Sequence, residues 1–316
     1  INALGAGVPS RFTPINAETA DQNITIGVKQ IYQGAWNPVA GLTDTYSTQI
    51  WFTLFDPSLT GHPFSGKIFP IRTDWKIETH GSQSVVNVPT DAVIWDSKSK
   101  NWKEVGPNTL ATSKATFDLN LGEWHNGQKM NMNDIIYSTY FLLEWGSEKD
   151  ENDKTFDSDY SPQAAQTAKT LVGIKPIDDD TIEVYTNYWH FDEGEIASWA
   201  SPWSSMPWEI MAAMEKTVVD GKSSFSRSES LTKNVNWLSL IIPNDAQMVK
   251  DQLEDFKSSN FIPEPLTGFE QIMDFQIDRY QSSIDWIDQY GHAVISNGPF
   301  YLEGYSPDSR SITIKS

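Results

Sequence analysis

The chain has 316 residues, 39% of them hydrophobic, with 13 Trp, 11 Tyr and 15 Phe, which is enough apolar area for one large domain or two ordinary ones and unlike a disordered composition. A net charge of −19, from 42 Asp and Glu against 23 Lys and Arg, repels phosphate polymers and anionic headgroups; it disfavours nucleic acid as a partner and reads as a solvated acidic surface. With 0 Cys there is no disulfide framework, thiol nucleophile or Cys-based metal site, and the apolar runs are too short and interrupted to span a bilayer.

Residues 1–22, rich in Gly, Pro, Ala, Asn and Thr without a sustained period, read as a leading segment or interdomain linker. The start Ile1-Asn2-Ala3 lacks an initiating Met, so a chain cut from a longer precursor is expected. Residues 24–28 alternate as a strand, and Trp36-Asn37-Pro38 breaks it into a loop. Asp44 is placed to cap a helix whose apolar face holds Tyr46, Ile50, Trp51 and Leu54. Residues 55–66 read as a loop and 67–78 as extended chain.

A β-rich section follows. Residues 92–95 and 102–105 form the arms of a hairpin around a polar stretch, and 116–119 alternate again. Asn131 is expected to cap a largely buried helix reaching Trp145, with Asp134 in its first turn. Ser161 is read as the cap and Pro162 as the first position of another helix that Gly173 ends, and residues 174–177 and 181–186 make a hairpin around Asp178-Asp179-Asp180. From 192 to 292 the pattern is mainly helical: one helix starts around Ser205-Met206-Pro207-Trp208-Glu209, Asn244 caps a second, and 268–290 supply a third. Residues 298–302 and 311–314 then return as a hairpin through Ser306-Pro307-Asp308. The sum is a mixed α/β or α+β chain with helices set between groups of strands.

The run Phe117-Asp118-Leu119-Asn120-Leu121-Gly122-Glu123-Trp124-His125-Asn126-Gly127, followed by Asn131-Met132-Asn133-Asp134-Ile135, resembles the family 5 extracellular solute-binding proteins, the oligopeptide, dipeptide and nickel receptors of ABC importers. Their pattern is a strand, a Trp-His-Asp-Gly turn and a helix entered through a polar stretch ending in Asp-Val or Asp-Ile. Asn126 stands where the family has Asp; both side chains cap turns. Asn37-Pro38, the segment 70–78, the hairpin at 174–184 and Asn297-Gly298-Pro299-Phe300-Tyr301 agree in order, with Asn297 in place of a Gly. The resemblance covers 23–316. The spacing between Trp124 and Asn297 exceeds the family's, so 225–292 reads as a helical insertion, and the second lobe is expected to be absent from this chain.

This resemblance implies a periplasmic-binding-protein-like type II lobe with a mixed β-sheet and flanking helices. It also implies an extracellular or periplasmic location, membrane-anchored in the full-length parent, with ABC permease subunits as partners and a peptide or oligosaccharide as ligand. Family precedent places ligand contacts on loops after strands, which nominates Trp36, Asn37 and Tyr46. The density of Trp199, Trp203 and Trp208 beside Pro202 and Pro207 nominates an aromatic rim, and aromatic faces sandwich sugar rings or apolar side chains.

Trp124 and His125 belong to the structural turn. The His residues at 62, 80, 125, 190 and 292 show no metal-ligand spacing, 178–180 reads as a solvated turn, and neither a metal nor a cofactor is called for. Only five Arg occur, which disfavours a site clamping several carboxylates. The expectation is a receptor without catalytic activity. Its rivals are a carbohydrate-active hydrolase using a carboxylate pair drawn from Asp192, Glu195 and Glu209, and a surface interaction module without a pocket.

Overall fold

Helix α1 (Thr45–Leu54) starts where the sequence places its cap: the Asp44 carboxylate accepts hydrogen bonds from the Tyr46 and Ser47 amides at 3.1 and 2.9 Å. Trp51 and Leu54 are buried, whereas Tyr46 and Ile50 are only half-buried. The computed structural model describes residue 27 and residues 34–147, 153–269, 278–309 and 311–316. The leading segment 1–22 and all of the strand expected over 24–28 except Gly27 lie outside the described residues.

Inside the stretch read as a loop, β1 (Leu59–Gly61) pairs antiparallel with β2 (Ile68–Pro70). Then come β3 (Thr73–Thr79), β4 (Val86–Asn87), β5 (Val93–Asp96), β6 (Asn101–Glu104), β7 (Leu110–Ala111) and β8 (Ser113–Leu119). Helices α2 (Met132–Trp145) and α3 (Ser161–Ala168) lead to β9 (Leu171–Pro176) and β10 (Thr181–Thr186). After α4 (Glu193–Ala200) and α5 (Trp208–Val219), the short β11 (Ser223–Ser224) and β12 (Asn236–Trp237) flank α6 (Arg227–Lys233). The described chain ends with α7 (Pro243–Ser259), α8 (Asp278–Tyr290), and the hairpin β13 (Tyr301–Ser306) and β14 (Ser311–Lys315).

The main sheet has six strands in the order β3-β8-β10-β9-β5-β6, with every pair antiparallel. This corrects the mixed sheet expected from the resemblance. The strands meet as the hairpins β5–β6 and β9–β10 and as neighbours running in opposite directions, so among the strands described parallel pairing occurs between the two-residue β11 and β12. Burial alternates along β8: Ala115, Phe117 and Leu119 enter the core while Asp118 faces water, the period expected of a sheet with one solvated face. Burying the Phe117 and Leu119 side chains contributes about 1.5–3 kcal/mol each.

Four helix boundaries differ from the sequence reading. Tyr160 rather than Ser161 precedes α3, and Gly173 sits within β9, where an added Cβ would meet Val105 Cγ1 at 2.9 Å. Pro243 takes the first position of α7, so Asn244 lies inside the first turn instead of capping it. Gly268 and Phe269 are not helical; α8 is described from Asp278, and 270–277 lie outside the described residues.

The Trp-His-Asn-Gly turn and α2 are held by a buried hub. Asn131 caps α2, and the Asp134 carboxylate accepts from the Asn131 amide at 2.9 Å, the Trp208 amide at 2.9 Å and Trp124 Nε1 at 3.2 Å. Arg279 of α8 completes it, reaching Asp134 at 2.7 Å and Glu209 of α5 at 2.9 Å, with side-chain exposures of 1%, 0% and 0%. A second carboxylate, Glu215 of α5, accepts from Tyr137, Tyr140 and Trp145 of α2 at 2.5, 3.0 and 2.9 Å.

His125 carries the turn across to the segment before β13. Its Nε2 lies 3.0 Å from the Gly298 carbonyl, and its Nδ1 accepts from the Ser296 amide at 3.2 Å. Gly298 in turn donates its amide to the Leu54 carbonyl at 2.8 Å, and an added Cβ would stand 2.6 Å from that carbonyl. Gly298→Ala is therefore expected to lower the unfolding free energy by about 1–3 kcal/mol, the usual cost of overpacking. Urea unfolding measures it; an unchanged midpoint would mean that this segment moves aside without loss.

Candidate functional site

A cleft of about 410 Å³ opens between α2, the ends of β9 and β10, the loop after α1 and the segment that joins α4 to α5. The last of these is built by a short run of bonds. Trp203 Nε1 donates to the Asp56 carbonyl at 2.9 Å, and the Trp203 carbonyl accepts from Ser138 Oγ of α2 at 3.1 Å, so the residue is braced on both sides. Trp199 stacks on Tyr188 with ring centroids 4.7 Å apart and planes 14° apart, and its Nε1 donates to Thr170 Oγ1 at 2.8 Å. Between them, the Ser201 and Ser58 hydroxyls are 2.7 Å apart, linking the segment to the loop after α1. Pro202 restricts the backbone between these anchors.

The lining is aromatic, aliphatic and hydroxyl-bearing, and among the described residues it holds no Asp, Glu, Lys, Arg or His. Tyr160, which also lines it, is kept neutral because burial and the nearby Glu215 charge raise its phenol well above the ordinary range. The cleft is thus an uncharged cavity in a strongly acidic protein. Its volume falls within the roughly 300–1,000 Å³ of small-molecule sites.

Of the residues nominated from sequence, Trp199 and Trp203 line this cleft and are half-buried. The other four do not line it. Trp36 is fully buried, bonded through its amide to Ser239 Oγ at 2.9 Å and through Nε1 to Ser47 Oγ at 3.0 Å. Asn37 is also fully buried; its amide nitrogen donates to the Phe225 and Leu238 carbonyls at 3.1 and 2.8 Å, while its oxygen accepts from the amides of Val39, Ala40 and Gly41. The Asn37 side chain and the Trp36 backbone amide join the first loop to the distant segment around 225–239, while the Trp36 indole ties that loop to α1. Trp208 is buried against Tyr280, 5.5 Å between centroids, with the Arg279 guanidinium 5.5 Å over its ring. Tyr46 is half-buried in the first turn of α1.

The carboxylates of the hydrolase reading do not converge on the cleft. Glu209 is tied to Arg279, and Asp192 accepts from the Gly194 amide at 2.9 Å as the cap of α4. Glu195 lies in the first turn of that helix. The Asp178 carboxylate accepts from the Asp180 and Thr181 amides at 3.2 and 2.8 Å, which makes the acidic triplet a turn closed on itself. No group of three or more His, Cys, Asp and Glu suited to a metal ion occurs among the described residues.

The hydroxyls of Ser58, Ser138, Thr167, Thr186 and Ser201 were not singled out by sequence. They come from five separate stretches of chain, so no local pattern marks them. No family model matches the chain, and no curated protein matches it.

Proposed function

We propose that this chain is the solute-capturing part of an extracytoplasmic receptor that delivers its ligand to ABC permease subunits, on a periplasmic-binding-protein-like type II lobe. The observation that carries the reading is the cleft: two anchored Trp side chains among hydroxyl and aliphatic groups, with no carboxylate, imidazole or amine among the described lining residues to act as acid or base on a hydroxyl beside it. Such a lining binds and orients a small molecule. The ordered motifs from Asn37-Pro38 through the Trp124 turn to Gly298-Pro299 support the same family, in which a second lobe closes over the solute.

The reading also accounts for the mechanical arrangement. Asp134, Arg279 and Glu209 lock α2, α5 and α8, and α2 presents Ser138, Thr139, Phe141 and Leu142 to the cleft. A wall held by a buried ionic hub keeps its shape before ligand arrives, which reduces the ordering cost of binding. No helix among the described residues is long and apolar enough to cross a membrane.

Thermal unfolding against a panel of peptides, oligosaccharides and metal complexes tests the proposal, since a ligand that prefers the folded state raises the midpoint by mass action. The expected result is a rise with one class and recovery of that compound intact. Cleavage of the compound would replace the receptor with a hydrolase; no rise with any class would favour a surface interaction module.

A further inference from the structure

We infer that the tip of the β1–β2 hairpin and the neighbouring loop before α4 dock this chain onto a zwitterionic lipid bilayer, with Phe64 and Phe191 entering the interface. Exposure is the first ground. Residues 61–67 are all exposed, with Phe64 at 94% in their midst, and Phe69 and Ile71 follow as exposed residues of the same hairpin. The loop adds Phe191 at 83% and an exposed Trp189. Single exposed apolar residues are ordinary on a protein surface; five on two adjoining segments mark a place of contact. The segments adjoin at Gly194 of α4, where an added Cβ would stand 2.9 Å from Ile68 Cβ of β2. None of these residues lines the cleft.

The second ground is charge. None of the chain's 42 Asp and Glu falls within 57–73 or 184–191, although the net charge is −19. Entry into a headgroup layer is therefore not opposed by a carboxylate carried in with the rings. Lys67 is the exposed cation of the tip, and its ammonium reaches lipid phosphate while the rings sit deeper. Acidic residues resume with Asp192, which caps α4, and the exposed Glu193, and these bound the patch.

The third ground is the backbone, whose polar groups need partners within the protein wherever water is scarce. At the tip they have them. His62 Nδ1 accepts from the Phe64 and Ser65 amides at 3.3 and 3.2 Å, the His62 carbonyl accepts from the Gly66 amide at 2.8 Å, and the Lys67 carbonyl accepts from the His62 amide at 2.8 Å. In the second loop His190 Nδ1 likewise accepts from the Asp192 amide at 3.1 Å, and its ring lies 4.2 Å from that of Phe191. The shape favours lipid over protein as the occupant. The hairpin is a sheet of two strands by itself, and its tip would need a fitted pocket on a protein partner, whereas fluid lipid yields around it.

Sedimentation of the 316-residue chain with sucrose-loaded vesicles is the test. Phosphatidylcholine vesicles should carry the chain down at lipid concentrations on the order of millimolar. A phosphatidylcholine–phosphatidylglycerol mixture should carry down less of it at low salt, because the net charge of the protein opposes the anionic surface. Phe64→Ser and Phe191→Ser should each weaken binding to phosphatidylcholine severalfold, and together at least about tenfold, at an unchanged unfolding midpoint. No sedimentation with phosphatidylcholine, or equal sedimentation of the double variant, would overturn the assignment. So would a dimer, seen by sedimentation equilibrium without vesicles and abolished by Phe64→Ser, since the patch would then belong to a second copy of the chain.

Discussion

Arg279→Met should lower the unfolding free energy by about 3–5 kcal/mol, the largest effect of any single substitution considered, because it leaves buried carboxylates without their cation. Asp134 and Glu209 are both fully buried, and Arg279 forms ion pairs with them at 2.7 and 2.9 Å from a position that is itself 1% exposed. The loss should depend on pH. Burial, reinforced by the Asp134 charge and opposed by Arg279, pushes the Glu209 carboxyl up to about 7. Without the guanidinium Glu209 moves higher still, so at pH 5 it accepts a proton and the loss is smaller, whereas at pH 8 it is fullest.

The double variant Arg279→Met with Glu209→Met should be less damaged than the single one. Asp134 then keeps the Asn131 amide, the Trp208 amide and Trp124 Nε1 as donors, and no second buried charge is stranded. Urea unfolding of the three proteins checks this. A single-variant loss below about 1 kcal/mol would mean that the hub is not what joins α2, α5 and α8.

Acid should unfold the protein through two buried histidines. His125 and His292 have pKa values lowered to about 4 by burial. His292 repeats the arrangement of His125: its Nε2 lies 3.0 Å from the Leu302 carbonyl, and its Nδ1 accepts from the Val294 amide at 3.2 Å. A ring whose Nδ1 accepts while Nε2 faces a carbonyl is neutral, so a proton at Nδ1 displaces the hydrogen bond that the backbone N–H donates to it.

The unfolded histidine titrates near pH 6.5, so between about 6.5 and 4 the unfolded state binds protons that the folded state refuses. Stability from these two rings is full above about 6.5 and is lost as pH falls to about 4, on the order of 3 kcal/mol for each. Glu209 acts oppositely: its folded pKa is raised above the unfolded value, so its contribution is full below about 4.5 and falls away as pH rises to about 7. Unfolding free energies measured from pH 4 to 8 should therefore rise more steeply over the acid limb in Glu209→Gln and less steeply in His292→Gln. Parallel curves for wild type and His292→Gln would contradict the assignment.

Much of the fold was legible because its signals are local. Asp44 and Asn131 cap the helices predicted for them, since a cap needs only its own next three residues. The hairpins β5–β6, β9–β10 and β13–β14 likewise follow from alternation broken by polar turns. Asn244 failed as a cap because Pro243 beside it fills the first helical position better. Trp36 and Asn37 looked like loop residues free to meet a ligand; partners some two hundred positions away, Leu238 and Ser239, turn them inward, and no window of sequence contains that contact.

The site was half legible for the same reason. Density of Trp and Pro drew attention to 199–208, and two of its three Trp residues line the cleft. What separates them is the partner of each ring: Tyr188 and Asp56 hold Trp199 and Trp203 at the opening, while Tyr280 and Arg279 take Trp208 into the core. The neutrality of the lining is a property of the assembled walls. A chain with 42 acidic residues gives no sign of it in sequence order.

A crystal structure of the chain grown with the compound that most raises its unfolding midpoint tests the central claim most directly. The account predicts that compound intact in the cleft, lying against Trp203 and Trp199 and within hydrogen-bond reach of Ser138, Thr167 or Thr186. Density for it elsewhere on the molecule, or for a cleaved product, would contradict the account.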